Sequence, residues 1–223
     1  MATPARLIFL PGAAGRTNFW SPVSNLLTNH ADQIHVDWPG FGEVPADPQV
    51  KDIDDLVNLV TEKIDRPTAL IAQSMGGVIA IRVALKIPHR ITHLVLSVTS
   101  GGIDVAGLGG IDWRPAIRAS NPDLPEWFLT YHDDLSAALP TIRIPTLLLW
   151  GDADPISPVA LGQKLQSLLP CAKLQVLPGG DHQLACTQAR AVAPLIEQHL
   201  LISGNSMEAF SLATENSEEL RLI

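Results

Sequence analysis

The chain has 223 residues, 46% of them hydrophobic and 17% charged, which excludes a disordered protein and suits one globular domain with a substantial core. A formal net charge of −8, with no visible cluster of Lys and Arg, argues against a nucleic-acid partner, because phosphate binding needs such clusters. No apolar stretch reaches the length of a membrane span, and the two cysteines, Cys171 and Cys186, match neither a disulfide framework nor a metal or redox spacing.

The first apolar run gives a predicted strand over Arg6–Leu10; it is too short for a signal-peptide core and ends at Pro11-Gly12, so a cytoplasmic protein is expected. Gln33–Asp37 reads as the next strand. Ile53, Leu56, Val57, Val60 and Ile64 then recur at helical spacing, with Asp54 and Asp55 near the start, where the helix dipole favours acids. Further strands are predicted over Thr68–Ala72, Thr92–Val98, Pro145–Trp150 and Lys173–Leu177. Helices over Gly76–Leu85 and Val159–Leu169 are stopped by Pro88 and Pro170. Several of the strands are apolar at nearly every position, as parallel strands buried on both faces must be. Alternating strands and helices therefore predict an α/β fold, a three-layer α/β/α sandwich on a mostly parallel sheet.

Two stretches break this rhythm. Residues from about 101 to 144 hold Gly101-Gly102, Gly109-Gly110 and several large apolar side chains, a combination expected of an active-site lid rather than a passive connection. From about Ser203 the chain is polar and acidic. We therefore expect a single domain over 1–202 with a lid insertion at about 101–144, and a tail over 203–223 that adds nothing to the core.

The residues that carry chemistry follow three of the predicted strands. Ala72-Gln73-Ser74-Met75-Gly76-Gly77 lies between a strand and a helix, the setting of a nucleophile elbow, where a serine on a tight turn needs small residues two positions either side. Ala72 and Gly76 meet that need, and the N–H of Met75 falls at a helix N-terminus, where negative charge is stabilised. A serine that merely caps the helix is the plainer alternative. Trp150-Gly151-Asp152-Ala153-Asp154-Pro155 places two acids just after a strand, either of which could instead cap the following helix. Pro178-Gly179-Gly180-Asp181-His182 follows the last strand, and its glycines let the chain turn and bring an imidazole over the sheet edge. The six other histidines have no such setting and read as surface or packing residues. What carries weight is the combination, Ser…Asp…His in that order, each past the C-terminal end of a strand.

On these motifs the chain, from roughly Arg6 to Leu200, resembles the α/β-hydrolase superfamily, in its small serine-esterase form with a short lid. The resemblance implies Ser74 as nucleophile, His182 as base and the second acid, Asp154 rather than Asp152, as the group that orients the histidine. It also implies that Leu10-Pro11-Gly12-Ala13-Ala14-Gly15 supplies an oxyanion donor from the N–H of Ala13, although proline stands where the family's histidine usually does. Asp37-Trp38-Pro39-Gly40-Phe41-Gly42 is similar to the family's Asp-x-x-Gly-x-Gly turn. The antiparallel hairpin that opens the full fold has no counterpart before Arg6, so a sheet of six parallel strands is expected.

Such a site performs acyl transfer on carboxylic esters or thioesters through an acyl-enzyme on Ser74, with oxyanion donors at Ala13 and Met75. Leu108, Trp113, Trp127 and Phe128 are expected to cover the pocket and bind the acyl chain of a small-molecule substrate. No metal, nucleotide or redox cofactor is implied, and no Gly-x-Gly-x-x-Gly follows the first strand. On the same fold, a carrier-protein methyl-ester esterase, a C–C bond hydrolase and a lyase of menaquinone synthesis are alternatives. A carrier protein is a candidate partner because Arg114 and Arg118 stand four residues apart in the lid, although that lid is net acidic. A non-catalytic binding protein is the rival from a different class. Oligomeric state leaves no mark in the sequence.

Overall fold

The computed structural model describes residues 3–15, 18–105 and 107–202. The polar tail expected over 203–223 lies outside them. Six strands form one sheet: β1 (Arg6–Leu10), β2 (Asp32–His35), β3 (Thr68–Gln73), β4 (Ile91–Ser97), β5 (Thr146–Gly151) and β6 (Ala172–Leu177). They lie in the order β2-β1-β3-β4-β5-β6, and every neighbouring pair is parallel. Burial explains the composition of these strands. β3, β4 and β5 are buried at every position and apolar through their middles, with polar residues mainly towards their ends, whereas the edge strands β2 and β6 carry Asp32, Gln33, Lys173 and Gln175 at partly or fully exposed positions.

Because the chain steps from β1 outward to β2 and then returns to the other side at β3, the direction of winding reverses between β1 and β3. Parallel crossovers are right-handed, so this reversal puts the helices on two faces. The helices α2 (Ile53–Thr61), α3 (Met75–Lys86) and α6 (Val159–Leu168) belong to one layer, in which α2 packs on α3. The short α1 (Ser21–Ser24) and α7 (Leu184–Thr187) pack with α8 (Ala189–Leu200) on the other, where α8 covers β4 and β5. The reversal also opens the C-terminal ends of β1 and β3 side by side, the position where open α/β sheets bind ligands. The residues just after those two ends are the Pro11–Gly15 loop and Ser74.

The long helices start and stop for local reasons. Asp52 caps α2 by accepting the N–H groups of Asp54 and Asp55, and Ile53, Leu56, Val57 and Val60 form its buried face. α8 has no counterpart among the sequence expectations, since Pro194 lies inside it. Proline there removes one helical hydrogen bond, a cost of about 3 kcal/mol. Burial of Val192, Ala193, Ile196 and Leu200 against the sheet offsets it. Between β4 and β5 the chain forms α4 (Arg114–Ser120) and α5 (Glu126–Thr130). Among the described residues no helix is long and apolar enough to cross a membrane.

Candidate active site

Ser74 sits between the last residue of β3 and the first of α3, with φ 51° and ψ −119°. A non-glycine residue in such a conformation costs on the order of 1–3 kcal/mol and persists only where its surroundings enforce it. The surroundings do so from three directions. The Ser74 N–H donates to the Ser97 carbonyl at 3.0 Å, stitching the elbow to β4, and the Gly77 N–H donates to the Ser74 carbonyl at 2.9 Å. At Gly76 a Cβ would fall 2.6 Å from the Pro11 carbonyl oxygen and 2.7 Å from that of Leu10, so the elbow tolerates no side chain there.

Those two carbonyls are themselves pinned. Trp20 Nε1 donates to the Leu10 carbonyl at 3.0 Å and Trp38 Nε1 to the Pro11 carbonyl at 2.9 Å, both indoles being fully buried. The loop then passes so close to the nucleophile that a Cβ on Gly12 would lie 3.1 Å from Ser74 Cβ and 2.3 Å from Gln73 Oε1. Ala13, next in the chain, is buried within this loop. Met75 opens α3, where the first-turn N–H groups have no partner within the helix.

On the other side of Ser74, two loops are sewn together by their backbones. The Ala153 N–H donates to the Gly180 carbonyl at 2.9 Å, and Gly151 and Gly180 are in such close contact that neither admits a Cβ. Asp154, whose side chain is wholly buried, accepts the N–H groups of Ile156 at 2.8 Å and Ser157 at 3.1 Å on one oxygen. Its other oxygen lies 2.7 Å from His182 Nδ1. His182 Nε2 in turn lies 3.2 Å from Ser74 Oγ. The structure thus brings Ser74, His182 and Asp154 into one hydrogen-bonded line, and it leaves Asp152 outside it. Among the described residues no group of three or more His, Cys, Asp or Glu side chains could hold a metal ion.

The segment between β4 and β5 reaches this edge from both ends of the site. The Ile111 N–H donates to the Pro155 carbonyl at 2.9 Å, beside Asp154, and Gly110 lies against the Ile156 carbonyl. Phe128 and Trp127 meet Phe41 at ring-centroid distances of 5.3 and 6.0 Å, and Trp113 stacks on Phe128 at 5.1 Å. Phe41 belongs to the Asp37–Gly42 loop, which packs on Gly15 of the loop after β1. Phe128 is buried; Leu108, Trp113 and Trp127 are half-buried. The segment thus touches the loops after β2 and β5, which flank the ends of β1, β3 and β4 in the sheet.

The family model described as Alpha/beta hydrolase family matches residues 7–134, more than half of the chain. The chain belongs to this family. The hydrolase is 24% identical to the pimeloyl-[acyl-carrier protein] methyl ester esterase of Nitrosomonas europaea, over 79% of this chain and 88% of the esterase. It is 27% identical to the polyketide synthase ThaQ of Burkholderia thailandensis over 86% of this chain, but it spans only 11% of the length of that synthase. Among solved structures, a thermophilic esterase from Thermogutta terrifontis superposes with a TM-score of 0.72 at 21% identity, covering 90% of each chain. The meta-cleavage product hydrolase of Pseudomonas fluorescens IP01 gives 0.71 at 18% identity, covering 87% of this chain and 89% of its own. At such identities these structures share the fold.

Some residues that shape the hydrolase's site escaped the sequence reading. Gln73 is almost fully buried, and its Nε2 donates to the His182 carbonyl at 3.2 Å, bridging the elbow and the histidine loop. Asp152, which the resemblance passes over in favour of Asp154, is exposed and accepts the Gly179 N–H at 2.6 Å, so it shapes that loop. Trp20 lies in no motif and Trp38 stands at an unspecified position of the Asp37–Gly42 turn; their role arises only because both indoles converge on one turn.

Proposed function

We propose that the hydrolase is a serine esterase or thioesterase that works through an acyl-enzyme on Ser74. As Ser74 Oγ attacks the substrate carbonyl, His182 Nε2 takes its proton, while Asp154 holds Nδ1–H and so fixes the tautomer that leaves Nε2 free. The N–H groups of Ala13 and Met75 hold the oxyanion. Protonated His182 then returns its proton to the departing alcohol or thiol. Water, activated in the same way, releases the acid. The observation that carries this reading is the unbroken line from Asp154 through His182 to a serine on a strained elbow. On this reading residues 101–144 are a lid on one domain, with Leu108, Trp113, Trp127 and Phe128 on its acyl-binding side, and the site of action is the cytoplasm.

Labelling with a fluorophosphonate probe, alone and in Ser74→Ala, tests the proposal. We expect stoichiometric labelling of the native chain, none of the variant, and turnover of short p-nitrophenyl esters or acyl-thioesters. A native chain that is neither labelled nor active is a binding protein on this fold, and the proposal then fails.

A second reading has a specific source. Proteins similar to this chain include methyl ester esterases named for an acyl-carrier-protein substrate and a biosynthetic polyketide synthase, so the acyl group could arrive on a carrier protein. The lid gives this reading little support. Arg118 is paired through both oxygens of Glu126, and Arg114 donates to the Leu129 carbonyl and pairs with Asp112. Comparing kcat/KM for one acyl group on a carrier protein and on pantetheine decides between the two, since only a carrier-directed enzyme prefers the former by tenfold or more.

A further inference from the structure

Among the described non-glycine residues, only Ser74 and Val98 have positive φ. Ser74 is accounted for as the elbow. Val98, with φ 42°, is not, and for a β-branched residue this conformation is a genuine outlier. It directly follows β4, the strand beside the elbow, and its N–H donates to the Leu149 carbonyl of β5 at 3.1 Å. The effect of the turn falls on the next residue. Thr99 is 1% exposed, and its hydroxyl donates to the Ser74 carbonyl at 2.6 Å while accepting the Gly101 N–H at 3.1 Å. A Cβ on Gly77 would meet Thr99 Oγ1 at 2.5 Å, so the first turn of α3 rests directly on this side chain.

The bonded carbonyl belongs to a particular peptide unit. The C=O of Ser74 and the N–H of Met75 are two ends of one rigid plane, and in a trans peptide they point in opposite directions. Whatever fixes the carbonyl therefore aims the N–H. Two donors hold that carbonyl, the Gly77 N–H and the Thr99 hydroxyl, and a carbonyl that accepts hydrogen bonds makes its own N–H a stronger donor. We propose that Thr99 is a positioning residue that aims the Met75 N–H at the oxyanion, and that the strained turn at Val98 exists to place it. The same hydroxyl holds Gly101, so the lid is rooted on the group that orients the elbow. This inference rests on the serine-hydrolase reading of the site.

A donor that matters only to the tetrahedral species affects kcat and leaves KM alone. The test is Thr99→Val, which keeps the shape and loses the hydroxyl, beside Thr99→Ser, which keeps the hydroxyl, and Ser74→Ala. Each is assayed on a short p-nitrophenyl ester well below its own Tm, and the Thr99 variants also with an alkyl boronic acid, which forms a tetrahedral adduct on the serine. Loss of a whole oxyanion donor costs about 100- to 1000-fold, so loss of one of its two supports should lower kcat roughly 10- to 30-fold in Thr99→Val. KM should stay within about threefold, boronate affinity should fall by the same factor as kcat, and Thr99→Ser should recover to within about threefold of the native rate. A Thr99→Val enzyme with native kcat, or Thr99→Ser crippled as badly as Thr99→Val, overturns the assignment and leaves the serine reading intact. An active Ser74→Ala overturns both. Should Thr99→Val not fold, Thr99→Ala is measured in its place with the same expectations.

Discussion

The sheet edge and the segment between β4 and β5 are held by different chemistry. At the edge backbone-to-backbone bonds join the loops, Ser74 to Ser97, Val98 to Leu149 and Ala153 to Gly180, and buried polar side chains such as Trp20, Trp38, Gln73 and Thr99 bond the same backbone. The 101–144 segment is held mainly by side chains. Trp127 and Phe128 pack on Phe41 and Trp113 on Phe128, Arg118 pairs with Glu126 in the open, and Arg82 gathers Asp54, Tyr131 and Asp133. Its glycines at 107 and 109 have nothing within 4 Å of where a Cβ would stand. Backbone stitching suits the sub-ångström constancy that the proposed proton transfer between Ser74 and His182 would require. Side-chain packing gives a surface that, on the proposed reading, can be reshaped around different acyl groups without disturbing that geometry.

The comparison is sharpest at Asp154. Asparagine there can still accept the Ile156 and Ser157 N–H groups through its oxygen, so the loop should hold, but it no longer fixes the histidine tautomer. Asp154→Asn should therefore lose about 10⁴ in kcat with Tm and KM nearly unchanged. A loss under tenfold would remove Asp154 from the role proposed for it.

The next effect tests the sheet away from the site. His93 on β4 and His199 on α8 are buried with their rings 5.2 Å apart, His199 bonding the Leu94 carbonyl and His93 that of Ile202. Burial, reinforced by the neighbouring imidazole, pulls His199 down to about 4, and burial lowers His93 as well. Between pH 6.5 and 4 the unfolded chain therefore binds more protons than the folded one. Stability is complete above pH 6.5 and falls as pH drops toward 4, by on the order of 3 kcal/mol for His199 alone. Urea midpoints across this range should show the loss, and His199→Gln should flatten it; an unchanged slope in that variant would show that the histidine is not its source.

The proposed lid should respond differently from either. Phe128→Ala removes the ring at the centre of the aromatic cluster. It should raise KM for a long-chain ester about tenfold, some 1.4 kcal/mol, while kcat on an acetate ester stays within about threefold. Equal damage to both substrates would mean that the lid and the edge are one mechanical unit. The smallest effect belongs to Asp152→Asn, which keeps an oxygen for the Gly179 N–H. It should cost under tenfold in kcat, within about 1.4 kcal/mol, and a larger loss would make Asp152 rather than Asp154 the acid to reconsider.

Much of this was legible before folding. The runs Arg6–Leu10, Thr68–Ala72 and Pro145–Trp150 are apolar because parallel strands are buried on both faces, so their order and number could be read off directly. Ser74 and His182 stand out because each follows a predicted strand within a few residues, and small residues around Ser74 are a local steric demand; Asp154 is preferred to Asp152 only by the family resemblance. Three-dimensional contact decided the rest. α8 was hidden by Pro194, whose cost only tertiary burial offsets. His93 and His199 looked like any other histidines until β4 and α8 met. Trp20 and Thr99 lie in no motif, and Trp38 and Gln73 stand at unspecified positions of theirs, because the work of all four is to bond backbone carbonyls that only packing brings within reach: those of Leu10, Pro11 and Ser74 around β1 and β3, and that of His182 after β6. Local pattern encodes which strands form and what chemistry they end on. The aim of each atom of the proposed triad depends on neighbours as far as 109 residues away along the chain, as Gln73 is from His182, and no local pattern records those.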